Sequence, residues 1–142
     1  MNQTTLTKNE TVTHNWHITS AKGEIIGDLA VKIATVLMGK NKVDWTPTTD
    51  AGDFVVVTDV EGLTWTREKE VRKTYKFHSG YVGGITELSL GVLHARKPEK
   101  VLELAVKRML PKTIQASHQL KRLKIYKGAA HPHASQSPKP LV

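Results

Sequence analysis

Phe54-Val55-Val56-Val57-Thr58 is an unbroken apolar and β-branched run with no polar alternation, the pattern of a strand buried on both faces. Such strands belong to parallel sheets, whose partners are reached by a crossover rather than a tight turn. The residues upstream supply one. Asn15 to Thr19 is a short strand candidate closed by Ser20-Ala21-Lys22-Gly23. From Asp28 to Met38 the period changes, with Leu29, Ile33, Val36 and Leu37 at helical spacing while Lys32 and Thr35 face outward. Asp28 suits the positive end of that helix and Gly39 its C′ position. Strand, helix, long polar connection over 40–53 and buried strand is the βαβ order, which predicts a parallel sheet with a right-handed crossover.

Beyond the buried strand the pattern is less regular. Val60 to Leu63 reads as a short helical turn, and Leu63 to Thr66 and Lys73 to His78 as strands separated by a charged loop, Arg67 to Arg72. Gly80-Tyr81-Val82-Gly83-Gly84 is a glycine-rich loop. Thr86 to Ala95 and Pro98 to Leu110 read as helices, with Pro98 in a first turn. The second has Val101, Leu102, Ala105, Val106 and Met109 on its apolar face. Pro111 ends it, Lys112 to Arg122 is a shorter helix and Leu123 to Tyr126 a last strand. The reading gives one domain over residues 15–128. A polar, flexible arm over 1–14 precedes it, and an extended, irregular tail over 129–142 follows.

Charge is distributed unevenly along this plan. The chain's net charge is +8, and residues 104–142 hold Lys107, Arg108, Lys112, Lys121, Arg122, Lys124, Lys127 and Lys139 but no Asp or Glu. The rest of the chain holds the other 13 bases and all 13 acids, so the whole excess sits in the C-terminal 39 residues. A one-sided excess of this kind points to a polyanionic partner, where a solvated face would intersperse both signs. Tyr126, His131 and His133 add stacking partners for bases. No helix-turn-helix, RRM or KH signature is present, which favours recognition of shape and backbone over base edges. A membrane surface would want bulky apolar residues beside the lysines, and the run has few that the core does not need.

Other chemistry finds less support. With no cysteine there is no disulfide, thiolate zinc site or cysteine nucleophile, which suits a reducing compartment. The apolar runs are too short to cross a bilayer, and the first residues form neither a secretory nor a mitochondrial presequence. His131-Pro132-His133 places two imidazoles together, but that end of the chain has no carboxylate to complete a metal site. GYVGG matches neither dinucleotide nor P-loop spacing, so a small nucleotide-binding α/β enzyme is the weaker alternative. His78 and Ser79 make half of a nucleophile–base pair without a third partner. Asp44, Asp50, Asp53 and Asp59 read as turn or cap formers. The glycine loop is either a tight structural turn or, taken as running from a strand into a helix, a place for a phosphate held by free backbone N–H groups.

Five stretches in order carry a resemblance. They are Gly39-Lys40-Asn41-Lys42 with Thr46-Pro47; Asp50-Ala51-Gly52-Asp53; His78 through Gly84; Ala105 through Lys112; and Leu123 through Gly128 with His131-Pro132-His133. Over about Trp16 to Pro138 the chain resembles the bacterial large-subunit ribosomal protein L-thirteen family. It departs in having Arg108 where the family usually has Gly, Ile114 to Ser117 in place of a Leu-Gly-Arg-like piece, and Thr66-Arg67 for Thr-Gly. These departures mark a divergent lineage or an organellar copy.

The resemblance implies a three-layer α/β/α domain around a small, mostly parallel sheet, with a basic helical C-terminal third and an extended tail. It implies no enzymatic activity and a part in assembling the large subunit; with the residue reading above, no cofactor, metal, membrane or small-molecule substrate is expected. The implied partners are large-subunit ribosomal RNA and neighbouring large-subunit ribosomal proteins, in the ribosome of the cytoplasm or of an organelle. A free-standing RNA-binding regulator would leave the same electrostatic footprint. RNA contact is carried over to Lys40, Lys42, His78, Gly80, Gly83, Gly84, Lys107, Lys112, Lys124, His131 and His133. Arg96, Lys97, Arg108, Lys121, Arg122 and Lys127 join them on charge alone.

Overall fold

Val55, Val56 and Val57 are fully buried, as their run requires, and the strand they form, β2 (Phe54–Thr58), lies inside a four-stranded sheet. The computed structural model describes residues 7–141. β1 (Trp16–Ser20) pairs parallel with β2 in the register Trp16↔Phe54 to Ser20↔Thr58. The crossover between them is α1 (Ile26–Met38), which buries Leu29, Ile33, Val36 and Leu37 together with Ile26, Ala30 and Ala34. Lys32 is exposed, as the spacing predicted. α1 stops on Gly39 at φ 75°, where the Gly39 and Lys40 N–H groups donate to the Val36 and Thr35 carbonyls and close the last turn.

The remaining elements are α2 (Lys69–Arg72), β3 (Thr74–His78), β4 (Ile85–Ser89), α3 (Leu90–Arg96), α4 (Pro98–Met109), α5 (Ile114–Lys121), β5 (Leu123–Ile125) and β6 (Lys139–Pro140). The large sheet has the order β5-β2-β1-β6, with every neighbouring pair parallel. A separate antiparallel pair, β3–β4, makes a small second sheet. With five helices, this is a mixed α/β architecture consistent with a three-layer α/β domain. Val55 and Val57 face a core built with α1, α4 (Val101, Leu102, Val106), α3 (Leu90, Leu93) and Tyr75 of β3.

Several local expectations fail. The predicted helix over Thr86 to Ala95 is a strand as far as Ser89, and only Leu90–Arg96 is helical, started by Ser89, whose hydroxyl accepts the Val92 N–H at 3.4 Å. Pairing with β3 decides this, with Tyr75 opposite Leu88 and a Lys76–Glu87 ion pair of 2.7 Å across the strands. The strand predicted at Leu63 to Thr66 shrinks to one parallel bridge, Ile25↔Thr64. The charged loop at Arg67 to Arg72 contains the single turn α2, with Arg72 paired to Glu68 at 3.2 Å. On α4, Met109 is exposed and Leu110 takes the buried place.

The tail is extended but not wholly irregular. Ala134–Gln136 makes one 3-10 turn, and Lys139 and Pro140 then pair with His17 and Ile18 at the sheet edge. Proline, which has no N–H to donate, fits an edge strand. The arm read over 1–14 lies partly outside the described residues. Within it, residues 7–13 run beside the 44–53 connection, where Thr7 Oγ1 donates to the Asp44 carbonyl at 2.8 Å.

Candidate nucleic-acid interface

The C-terminal bases separate into two groups once the chain is folded. Lys107 on α4, Lys112 in the following turn, Lys121 at the end of α5 and Lys127 after β5 are exposed, and Lys124 on β5 is half-buried. None of the five makes an ion pair with a described residue. Arg96 and Lys97 are likewise exposed at the α3–α4 junction, and Lys40 just past α1. These are long flexible cations presented to solvent, the form phosphate contacts take.

Arg122 and Lys42 are different. The Arg122 side chain is only 12% exposed, and its guanidinium is ion-paired with Asp50 Oδ1. Lys42 Nζ donates to Asp53 Oδ1 at 2.6 Å and to the Thr13 carbonyl at 2.7 Å. Asp53 also accepts the Asn15 N–H at 2.9 Å and faces His17 Nε2 at 3.2 Å. Asp50 and Asp53, read from sequence as turn formers, are instead the two anchors that bind the 40–53 connection to the chain on either side of β2, at β5 and β1. Their cationic partners are thereby engaged inside the protein.

The histidines are built in as well. Trp16 stacks on Phe54 with ring centroids 4.3 Å apart, and His133 lies 5.0 Å from Trp16. Tyr126 Oη and His133 Nε2 share a 2.8 Å hydrogen bond, and the His131 ring lies 6.4 Å from that of Tyr126. The residues proposed to stack on bases thus form one aromatic row, which fixes the start of the tail.

The glycine loop joins β3 to β4 and so leads into a strand rather than a helix, and the expectation of a phosphate held there by helix N–H groups loses its basis. Gly80 and Gly83 have φ of 95° and 73°, and Gly84 does not lie in the left-handed region. His78 is exposed, its Nδ1 accepting the Gly80 N–H at 2.9 Å. The loop lifts Tyr81 and Val82 into solvent, 80% and 107% exposed.

Arg108, a contact candidate on charge alone, is joined in the fold by Lys73, which the sequence did not single out. Lys73, leading into β3, and Arg108, near the end of α4, both lie over the Tyr75 ring, 5.4 and 5.3 Å from its centroid. Burial, and secondarily the Arg108 charge, hold the Lys73 amine below its usual range. Burial raises the Tyr75 phenol, with Arg108 opposing. The only early signal was cation–aromatic alternation in Lys73-Thr74-Tyr75-Lys76, which does not reveal that α4 completes the group. Among the described residues, no helix is long and apolar enough to cross a membrane.

Comparison with known proteins covers nearly the whole chain. The family described as Ribosomal protein L13 matches residues 14–132. The large ribosomal subunit protein uL13 of Thermosipho africanus is 52% identical over 96% of this chain and 91% of its own. That of Citrifermentans bemidjiense is 48% identical over 98% of both chains, and that of Thermotoga petrophila 42% identical over 98% and 93%. The matched span holds both aspartate anchors, the glycine loop, the basic helices and His131, and on that basis the chain belongs to the ribosomal protein L13 family.

Proposed function

We propose that this protein is a non-catalytic structural component of the large ribosomal subunit in the cytoplasm, binding large-subunit ribosomal RNA and supporting assembly of the particle beside neighbouring ribosomal proteins. The observation that carries this is the acid-free stretch 104–142, whose Lys107, Lys112, Lys121, Lys124 and Lys127 make no ion pair with a described residue. Lys40, Arg96 and Lys97 add further exposed cations, and His78, Gly80, Gly83 and Gly84 present the loop beside Tyr81. Lys42, Arg122 and His133 serve the interface by holding the 40–53 connection and the tail in place. His131 and Arg108 complete the set of contact residues.

The test is RNA affinity against salt. With about eight phosphates neutralised, binding to large-subunit RNA should weaken on the order of 10³- to 10⁵-fold between roughly 50 and 200 mM salt. Each of Lys112→Ala and Lys127→Ala should lower the slope of log affinity on log salt by about 1. A salt-insensitive affinity, or failure to co-sediment with large-subunit particles in lysate, would sink the reading.

A further inference from the structure

A cavity of about 180 Å³ opens where the start of α1 meets β3 and the end of α4, with Gly27, Lys73, Tyr75 and Arg108 in its wall and Ala105 and Met109 among its apolar lining. We propose that it is a second phosphate-binding site, set apart from the tail and the glycine loop. It takes one phosphate group between the Lys73 ammonium, the Arg108 guanidinium and the Tyr75 hydroxyl, at the N-terminal end of α1. The volume is below that of pockets for drug-sized ligands and suits a single small group.

Three independent features point to an anion there. Lys73 and Arg108 lie over the same ring, and neither makes an ion pair with a described residue. Two like charges so placed repel, and an anion between them would relieve both. Tyr75 is 1% exposed, yet its hydroxyl has no hydrogen-bond partner within the described protein. A buried hydroxyl left unpaired is costly, and a phosphate oxygen would accept from it. Finally, α1 runs 13 residues and begins without a side-chain cap. The Ile26 N–H donates to the Thr64 carbonyl, but those of Gly27 and Asp28 have no acceptor among the described residues. Those orphan donors sit at the positive end of the helix. Asp28 is exposed and borders the adjoining groove, where Lys69 also lies with Arg72, the latter paired to Glu68.

The phosphate has two sources, the RNA backbone or a free phosphate, and the first rests on the RNA-binding reading above. The experiment uses the full chain and its Lys73→Met, Arg108→Ala and Tyr75→Phe variants, with melting followed in inorganic phosphate and in chloride of matched ionic strength. RNA affinity against salt is measured in parallel. Phosphate should raise the wild-type Tm beyond chloride, since a ligand bound only by the native state stabilises it. Lys73→Met and Arg108→Ala should weaken phosphate binding roughly 10- to 100-fold and each lower the RNA salt slope by about 1.

Tyr75→Phe should melt no lower than wild type without phosphate and respond less to it. If that variant melts markedly lower without phosphate, the hydroxyl has a partner inside the protein and its assignment falls. A phosphate effect lost in the variants, with RNA slopes unchanged, upholds the site and identifies free phosphate as its source. Wild-type RNA binding that is salt-dependent, with no variant altering either readout, overturns the site and leaves the RNA-binding reading intact. Absence of RNA binding alongside a phosphate-specific rise in Tm does the reverse.

Discussion

Two glycine-bearing corners of this molecule have similar sequence texture and opposite surroundings. Where α1 gives way to the connection before β2, a Cβ on Gly52 would run into the Leu37 carbonyl, and one on Gly39 would lie 2.7 Å from the Ala51 carbonyl carbon. Where β3 turns into β4, a Cβ on Gly80 or Gly83 would meet nothing within 4 Å. Glycine is required at the first corner because backbone is packed on backbone. At Gly80 and Gly83 of the second it is required only because φ is positive. The first corner therefore locks the fold, while the second holds a loop open to solvent. A third place shows the same dihedral without glycine. Arg67 has φ of 58°, at the position where the family resemblance led one to expect Gly.

The comparison is broken most directly at Gly52. Gly52→Ala should cost more than about 4 kcal/mol, the exceptional range for one substitution, because helix end and connection must separate. A urea midpoint within about 1 kcal/mol of wild type would show that the corner yields and that the contrast is false. Next in size is Ile33→Ala on the buried face of α1, for which roughly 2–5 kcal/mol is expected. Lys32→Ala, one residue away and exposed, should stay within about 0.5 kcal/mol. Equal effects would mean that the first corner is not held by the core beneath it.

At the open corner the expected losses are smaller. Gly83→Ala should cost about 1 kcal/mol from the dihedral alone. Gly84→Ala would press on Ser79 Oγ and the Tyr81 carbonyl, a second, steric effect to set against it. RNA affinity measured on both variants separates loop shape from loop stability, and no change in either quantity would reduce this corner to an ordinary connection. The smallest effect has the opposite sign. Arg67→Gly should stabilise the protein by about 0.5 kcal/mol, the left-handed strain being partly offset by the entropy of a freer unfolded chain. Destabilisation there would mean that the arginine makes contacts worth more than its strain.

What could be read from sequence follows the range of the forces involved. α1 was legible because burial repeats at a local period, β2 because its apolar run is unbroken, and β5 because Leu123-Lys124-Ile125 alternates apolar and polar residues. β4 was not, since Thr86 to Ser89 becomes a strand only through β3 across the glycine loop. The interface was legible as a charge count but not as a set of contacts. Whether a base meets solvent or a carboxylate depends on partners 11 residues away for Lys42 and 72 for Arg122. The Tyr75 cavity is the extreme case, drawing on α1, β3 and α4 at once.

The edge pairing of β6 on β1 has a consequence in time. His17 and Ile18 are made early, while Lys139 and Pro140, which cover their outer edge, are made more than a hundred residues later. At about 5–20 residues per second, β1 waits roughly 6–24 s during synthesis with that edge bare. An uncovered edge is a template for pairing with another chain. The sheet is thus most vulnerable to misassociation while the protein is being made, and closing it is among the last steps of folding.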